Sequence, residues 1–159
     1  KGPQTGKTRD EYRRNTVADP SVSVAIILLD TCVVTDLAQP ESDWFEWSAS
    51  TLEMLDDENT FIINPIIYAE IAVGFRAIEE VESVLATLGL GIQEIPREAL
   101  FLAGKVFLAY KKRNGQKTNV LPDFFIGAHA AVMRHKLMTR DRGRFSTYFP
   151  SVELIIPER

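Results

Sequence analysis

Sulfur and imidazole are scarce in this chain. Cys32 is the one cysteine among 159 residues, and His129 and His135 are the only histidines. No internal disulfide can form, and a cysteine–histidine zinc cluster has too few donors. One thiol without a partner suits a reducing compartment. Long apolar runs are missing as well: the longest, residues 24–29, is far below the ~20 residues that span a bilayer. Residues 1–8 have no apolar segment behind them of the kind a secretion signal carries. The expected location is therefore the cytoplasm, without membrane contact. Neither repeats nor low-complexity tracts are present.

Positive charge is missing from one long stretch. Between Glu41 and Glu94, twelve acidic residues stand against a single base, Arg76. Between Arg97 and Arg144 the balance reverses, with eleven basic residues against three acids. The overall charge of −4 argues against a simple basic nucleic-acid binder, but a segregated basic half can still attract phosphate. Two solvated helix faces would give the same pattern.

Residues 1–21 are polar, with Gly2, Pro3, Gly6 and Pro20 and no apolar period, and read as a flexible extension. The string Gly2-Pro3-Gln4-Thr5-Gly6-Lys7-Thr8 approaches a phosphate-binding loop but has three residues between its glycines instead of four, and no strand before it. Residues 22–159 read as one domain. Its first strand is the aliphatic run 24–29, which lacks alternation and suits a strand buried on both faces. Further strands are expected at 60–64, 92–95, 137–139 and 152–156. Helices are expected at 44–55, 65–75, 77–88, 97–113 and 122 to about 135, two of them opened by Pro65 and Pro122. Strands alternating with helices predict an α/β sandwich around a mostly parallel sheet.

Four acids occupy places of interest in that scheme. Asp30 follows the first strand, and ligands of open α/β sheets bind at strand carboxyl ends; it is equally an N-cap for the segment 33–38. Glu70 has Ile66, Ile67, Val73 and Gly74 as its helical neighbours, so its carboxylate has to be paired, neutralised or bound to a cation. Asp123 begins a helix face that continues through Ile126, Gly127, Ala130 and Ala131, where it serves as a ligand or as a favourable first-turn acid. Asp141 follows another strand, or is a turn residue before Gly143. Gathered at one sheet edge, such carboxylates repel each other unless a cation holds them. An all-oxygen set favours Mg²⁺ or Mn²⁺ over zinc. His129 and His135 do not share the helix face of Asp123, so both read as structural or surface residues and a Ser–His–Asp hydrolase finds no support.

The strings that carry these acids resemble the PIN-domain family. Ile26-Ile27-Leu28-Leu29-Asp30-Thr31 looks like its opening strand and first acid, and Asn64-Pro65-Ile66-Ile67-Tyr68-Ala69-Glu70 like the helix with the second. Leu121-Pro122-Asp123-Phe124-Phe125-Ile126-Gly127-Ala128-His129-Ala130 resembles the bacterial toxin branch, and Leu137-Met138-Thr139-Arg140-Asp141 the last strand with its Thr-x-Asp ending. The resemblance covers residues 23–157, in order and in register. In one departure, Cys32 stands where the family often has Asn, and a changed polar neighbour can alter the geometry of a metal site.

The resemblance implies a three-layer sandwich with helices flanking the sheet, and a metal-dependent endoribonuclease of the VapC toxin type. Asp30, Glu70, Asp123 and Asp141 would then hold one or two Mg²⁺ or Mn²⁺ ions that activate water against a phosphodiester. Thr31 and Thr139 would support those acids by hydrogen bonds. Arg140, Arg142 and Arg144, with Lys111, Lys112 and Arg113, are candidates to grip the RNA backbone. The resemblance also implies tRNA or ribosomal RNA as substrate, a silencing antitoxin protein and a homodimer. Trp44, Phe45 and Trp47 read either as core or as a groove for the apolar helix of such a partner. Competing readings are a catalytically silent RNA- or protein-binding module, a nuclease directed at DNA, and a phosphatase, whose usual Asp-x-Asp opening Cys32 interrupts.

Overall fold

The computed structural model describes residues 24–158. The expected extension, residues 1–21, and the near-match to a phosphate-binding loop inside it lie outside the described residues. In chain order the elements are β1 (Ala25–Leu29), α1 (Thr31–Ala38), α2 (Phe45–Leu55), β2 (Asn59–Ile63), α3 (Pro65–Ala72), α4 (Ile78–Leu88), β3 (Gly91–Ile92), α5 (Arg97–Lys112), α6 (Pro122–Met133), β4 (Lys136–Met138), α7 (Arg142–Tyr148) and β5 (Leu154–Ile155). The five strands form one sheet in the order β3-β2-β1-β4-β5, and every pairing is parallel. With helices on the sheet, this is a three-layer α/β sandwich.

The centre of the sheet follows from the aliphatic run. Ile27, Leu28 and Leu29 of β1 are wholly buried, as a strand covered on both faces requires. Each such side chain contributes ~1.5–3 kcal/mol by leaving water. On one side Ala25 faces Asn59 and Leu28 faces Ile62; on the other Leu28 faces Leu137 and Leu29 faces Met138. The chain runs outward from β1 to β2 and β3, then returns to lay β4 and β5 on the opposite side. The strand order thus reverses between β1 and β4, and at such a switch point open α/β sheets bind ligands beyond the strand carboxyl ends.

The helices begin where their caps place them. Asp30 caps α1, and Asn64 caps α3 by accepting from Ile67 N at 3.0 Å, with Pro65 in the first turn. Pro122 opens α6, whose Phe124, Ile126, Ala128 and Ala130 are fully buried. Gly127 of α6 lies beneath the Phe149 ring, and a Cβ at that position would collide with it. No helix among the described residues is long and apolar enough to cross a membrane.

Two local expectations are corrected, and one helix is additional to those expected. The helix α7 was not legible in the sequence; it exists because Asp141 caps it, accepting from Arg144 N at 3.2 Å. Strand β3 covers Gly91–Ile92 instead of 92–95, since its register with Ile62 and Ile63 places it there and its ladder ends with the Gln93 N–Ile63 O bond of 2.9 Å. Helix α3 stops at Ala72, and Gly74 N turns back to Ile71 O at 3.1 Å. Val73 and Gly74 are consequently exposed, Val73 at 89%, so Glu70 does not lie in a continuous apolar stripe. It is half-buried and lines the cleft described below.

Candidate active site

A cleft of about 660 Å³ opens at the carboxyl edge of β1 and β4, and all four acids line it: Asp30, Glu70, Asp123 and Asp141. Each arrives on a different element. Asp30 ends β1, Glu70 rides on α3, Asp123 stands in the first turn of α6, and Asp141 caps α7 just beyond β4. Parallel connectivity is what brings residues so far apart in sequence to one edge.

Asp30 is the most deeply set, at 6% exposure. Its Oδ1 accepts from Thr31 N at 2.8 Å and its Oδ2 accepts from the Thr139 hydroxyl at 2.7 Å. Burial raises the pKa of its carboxyl above the ordinary value and the charge of Asp123 adds to the rise, while the two hydrogen bonds oppose it. Glu70 is half-buried and its Oε1 accepts from the Thr31 hydroxyl at 2.8 Å. Its pKa is raised too, first by desolvation and then by the charges of Asp123 and Asp30, against the Thr31 bond. Thr31 therefore serves two acids, its amide on Asp30 and its hydroxyl on Glu70. Thr139, wholly buried, does likewise: its Oγ1 donates to Asp30 and accepts from Asp141 N at 3.0 Å.

Cys32 also lines the cleft, with Sγ 3.6 Å from Asp30 Oδ2. Burial, and after it the negative charge of Asp30, pushes this thiol up to about 11. It stays protonated at neutral pH and donates weakly to the acid beside it, so it is no nucleophile.

The basic candidates divide into three groups. Arg140 lines the cleft, but its guanidinium is turned on Asp36: Nε is 3.0 Å from Oδ2 and Nη2 donates to Oδ1 at 3.2 Å. Asp36 is a buried acid that nothing in its sequence context singles out. Ser42 and Ser48 complete its shell at 2.8 and 3.2 Å, and Trp44 lies over the guanidinium at 5.4 Å. Trp44 and Trp47 meet edge to face, and Trp47 packs on the core. Arg144 donates from Nη1 to Asp123 Oδ2, an ion pair inside the acid group. Arg142 lines the cleft and is exposed. Lys111, Lys112 and Arg113 are exposed at the end of α5 and do not line the cleft; Lys111 Nζ donates to Gly115 O at 3.0 Å, and Arg113 lies over the Tyr148 ring.

Both histidines are structural. His129 is fully buried and its Nδ1 accepts from Asn64 Nδ2 at 3.1 Å, which places its proton on Nε2. That Nε2 and the Nε2 of His135 both donate to Gln93 Oε1, at 3.0 and 2.6 Å. The Asn64–His129–Gln93–His135 chain thereby fastens the cap of α3 to α6, the two helices that carry Glu70 and Asp123.

As the side chains stand, no three His, Cys, Asp or Glu groups among the described residues converge closely enough to hold a metal ion. The donor chemistry nevertheless fits one. Four carboxylates face one cleft, two of them with pKa values raised by burial and by mutual charge, and a guanidinium already answers a third. Such a set asks for a cation, and its oxygens suit a hard divalent one.

The chain is thus an α/β domain with a doubly wound parallel sheet and an acid cluster at its switch point. The family model described as "PIN domain" matches residues 27–148, most of the chain. The chain belongs to the PIN-domain family. Its fold is similar to VapBC2 from Rickettsia felis bound to a DNA fragment from their promoter, with a TM-score of 0.66, 22% identity, and 84% of this chain and 99% of that one covered. It is similar to VapBC-1 from nontypeable Haemophilus influenzae, with a TM-score of 0.62, 20% identity and coverage of 82% and 97%. It also matches a toxin–antitoxin complex from Klebsiella pneumoniae, with a TM-score of 0.58, 21% identity and coverage of 84% and 98%. No curated protein sequence matches.

Proposed function

We propose that this chain is a divalent-metal-dependent endoribonuclease and the toxin partner of a VapBC-like toxin–antitoxin pair. The observation that carries the reading is the convergence of Asp30, Glu70, Asp123 and Asp141 on one cleft at the switch point of a PIN-family sheet. These four would hold one or two Mg²⁺ or Mn²⁺ ions. When bound, the cation supplies a water of lowered pKa and offsets charge on the phosphate under attack.

The remaining work falls to the chain's own groups. Thr139 and Thr31 fix the carboxylate oxygens of Asp30 and Glu70 and so set the direction in which each acid presents its free lone pairs. The raised basicity of Asp30 and Glu70 suits one of them to take a proton from the attacking water. Arg142, exposed on the rim, and Arg140, held by Asp36, would contact phosphates on either side of the scissile bond. Lys111, Lys112 and Arg113 would extend the track without specifying sequence. Structured RNA of the tRNA or ribosomal class is the expected substrate, and the cytoplasm the expected site of action. The likeness to toxin–antitoxin complexes supports an antitoxin that covers the cleft, and a homodimer is expected with it.

One observation favours a second reading, a catalytically silent module: Arg144 pairs with Asp123, and no three His, Cys, Asp or Glu groups among the described residues stand close enough to share an ion. Incubation of total RNA with the purified chain and Mg²⁺ or Mn²⁺, beside EDTA and the Asp30→Asn variant, separates the two. Discrete fragments that vanish in both controls support the nuclease. Intact RNA throughout, from folded protein free of antitoxin, would turn the balance to the silent module.

A further inference from the structure

We propose that Arg144 is the internal counter-ion of the acid cleft: it holds Asp123 in the metal-free protein, yields it when a divalent cation binds, and thereby sets the affinity of the cleft for that cation. The inference rests on the reading of the four acids as a cation site. Arg144 touches two of them at once. Its side chain donates from Nη1 to Asp123 Oδ2, and its backbone N donates to Asp141 Oδ1 at 3.2 Å. The second contact anchors the main chain through the cap of α7, so the guanidinium is delivered to Asp123 by the first turn of a helix.

The position matters electrostatically. Asp123 is the acid whose charge reaches both Asp30 and Glu70, so a cation on Asp123 would offset repulsion felt by both, and Arg144 already holds the oxygen that cation would need. A cation that takes Asp123 Oδ2 meets Arg144 at the same oxygen, and two positive charges compete for one partner. The side chains are 44% and 22% exposed, so the pair is loose enough to exchange. Arg140 differs, because its partner Asp36 stands outside the four acids and no cation has to displace it. Coupling of this kind is reciprocal: whatever Arg144 contributes to the metal-free cleft, cation binding must overcome.

Calorimetric titration with Mn²⁺ on the full chain tests this in wild type, Arg144→Gln and Arg144→Lys. Arg144→Gln is expected to bind Mn²⁺ about two- to fivefold more tightly than wild type, the scale of a partly exposed ion pair, with Arg144→Lys between them. Equal affinities in wild type and Arg144→Gln would overturn the counter-ion while leaving a metal-binding cleft in place. Absence of Mn²⁺ binding in every form at millimolar concentrations would overturn both. If the variants fold poorly, the wild type still decides. The Nε resonance of Arg144 should move with Mg²⁺ saturation along the calorimetric isotherm, and a resonance that stays fixed while Mg²⁺ binds would overturn the proposal.

Discussion

One hydroxyl joins the ends of two adjacent strands: Thr139 Oγ1 lies 2.7 Å from Asp30 Oδ2 and accepts from Asp141 N at 3.0 Å. Asp30 N also donates to Met138 O at 3.0 Å, so the β1–β4 pairing continues as far as the acids themselves. Thr139→Val keeps the shape and removes both bonds. It should cost about 1–3 kcal/mol by leaving a buried carboxylate oxygen and an amide short of partners. It should also lower RNA cleavage by roughly 10–100-fold, the usual effect of losing a group that orients a ligand. Urea denaturation and single-turnover cleavage measure the two effects, with Thr139→Ser expected near wild type in both. Undiminished cleavage by the valine variant would show that Asp30 needs no such support.

Asp36 is the buried end of a second device. It holds Arg140 against Trp44 with help from Ser42 and Ser48. In Asp36→Asn, Arg140 should lose its fixed position but keep its charge. The Kd for RNA should rise only a few-fold, and its dependence on salt should stay near that of wild type. In Arg140→Gln, a phosphate contact disappears and the salt slope should fall by about 1. Filter binding across a salt series distinguishes the two variants; an unchanged slope in Arg140→Gln would remove Arg140 from the RNA track.

The reach of the sequence is clearest at particular residues. The run through Ile27, Leu28 and Leu29 announced a strand covered on both faces, because burial on two sides leaves no room for alternation. Asp30 and Asp141 stand out in the sequence as acids just after strands and Asp123 as an acid on a face turned to the sheet, and all three line one cleft with Glu70, whose expected apolar stripe ends at Ala72. Arg140 and Arg144 read only as positive charge, since long side chains choose partners by tertiary geometry that spacing does not encode. Asp36 is hidden in the sequence because a mid-helix acid is ordinarily solvated, and its partners Ser42, Ser48 and Arg140 are set by tertiary structure. Helix α7 is short and carried by its cap, so it left no periodic signal.

Glu70 offers a separation of stability from activity. Its pKa is raised by desolvation and by the charges of Asp123 and Asp30, so its ionised form is disfavoured in the folded chain. The folded state then holds its proton more tightly than the unfolded state, and stability falls as pH rises through the folded value. Glu70→Gln removes that charge and retains an acceptor for Thr31. Its melting temperature at neutral pH should equal or exceed that of wild type, with a gain in unfolding free energy of about 1 kcal/mol or less given the half-exposed position. Cleavage should drop by at least about 100-fold if the charge serves the reaction. A marked fall in melting temperature would assign Glu70 a structural role.

His129 gives the pH dependence with the opposite sign. Burial, and after it the nearby His135, lowers its pKa from 6.5 to about 4, and His135 is shifted in the same direction by burial. Protonation would place a second donor on Nδ1, where Asn64 Nδ2 already donates. Between about pH 6.5 and pH 4 the unfolded chain therefore binds more protons at His129 than the folded one does, and the stability that this residue contributes is lost as pH falls through that window. For His129 alone the loss is of order 3 kcal/mol. Urea denaturation across this range should show the decline, and His129→Gln should flatten it at the expense of lower stability at neutral pH. The imidazole resonances of His129 should remain those of the neutral ring down to about pH 5; titration near 6.5 would refute the assignment. Because the network fastens the cap of α3 to α6, acid should also slacken the placement of Glu70 against Asp123, and Mn²⁺ affinity should decline over the same interval in wild type more steeply than in His129→Gln.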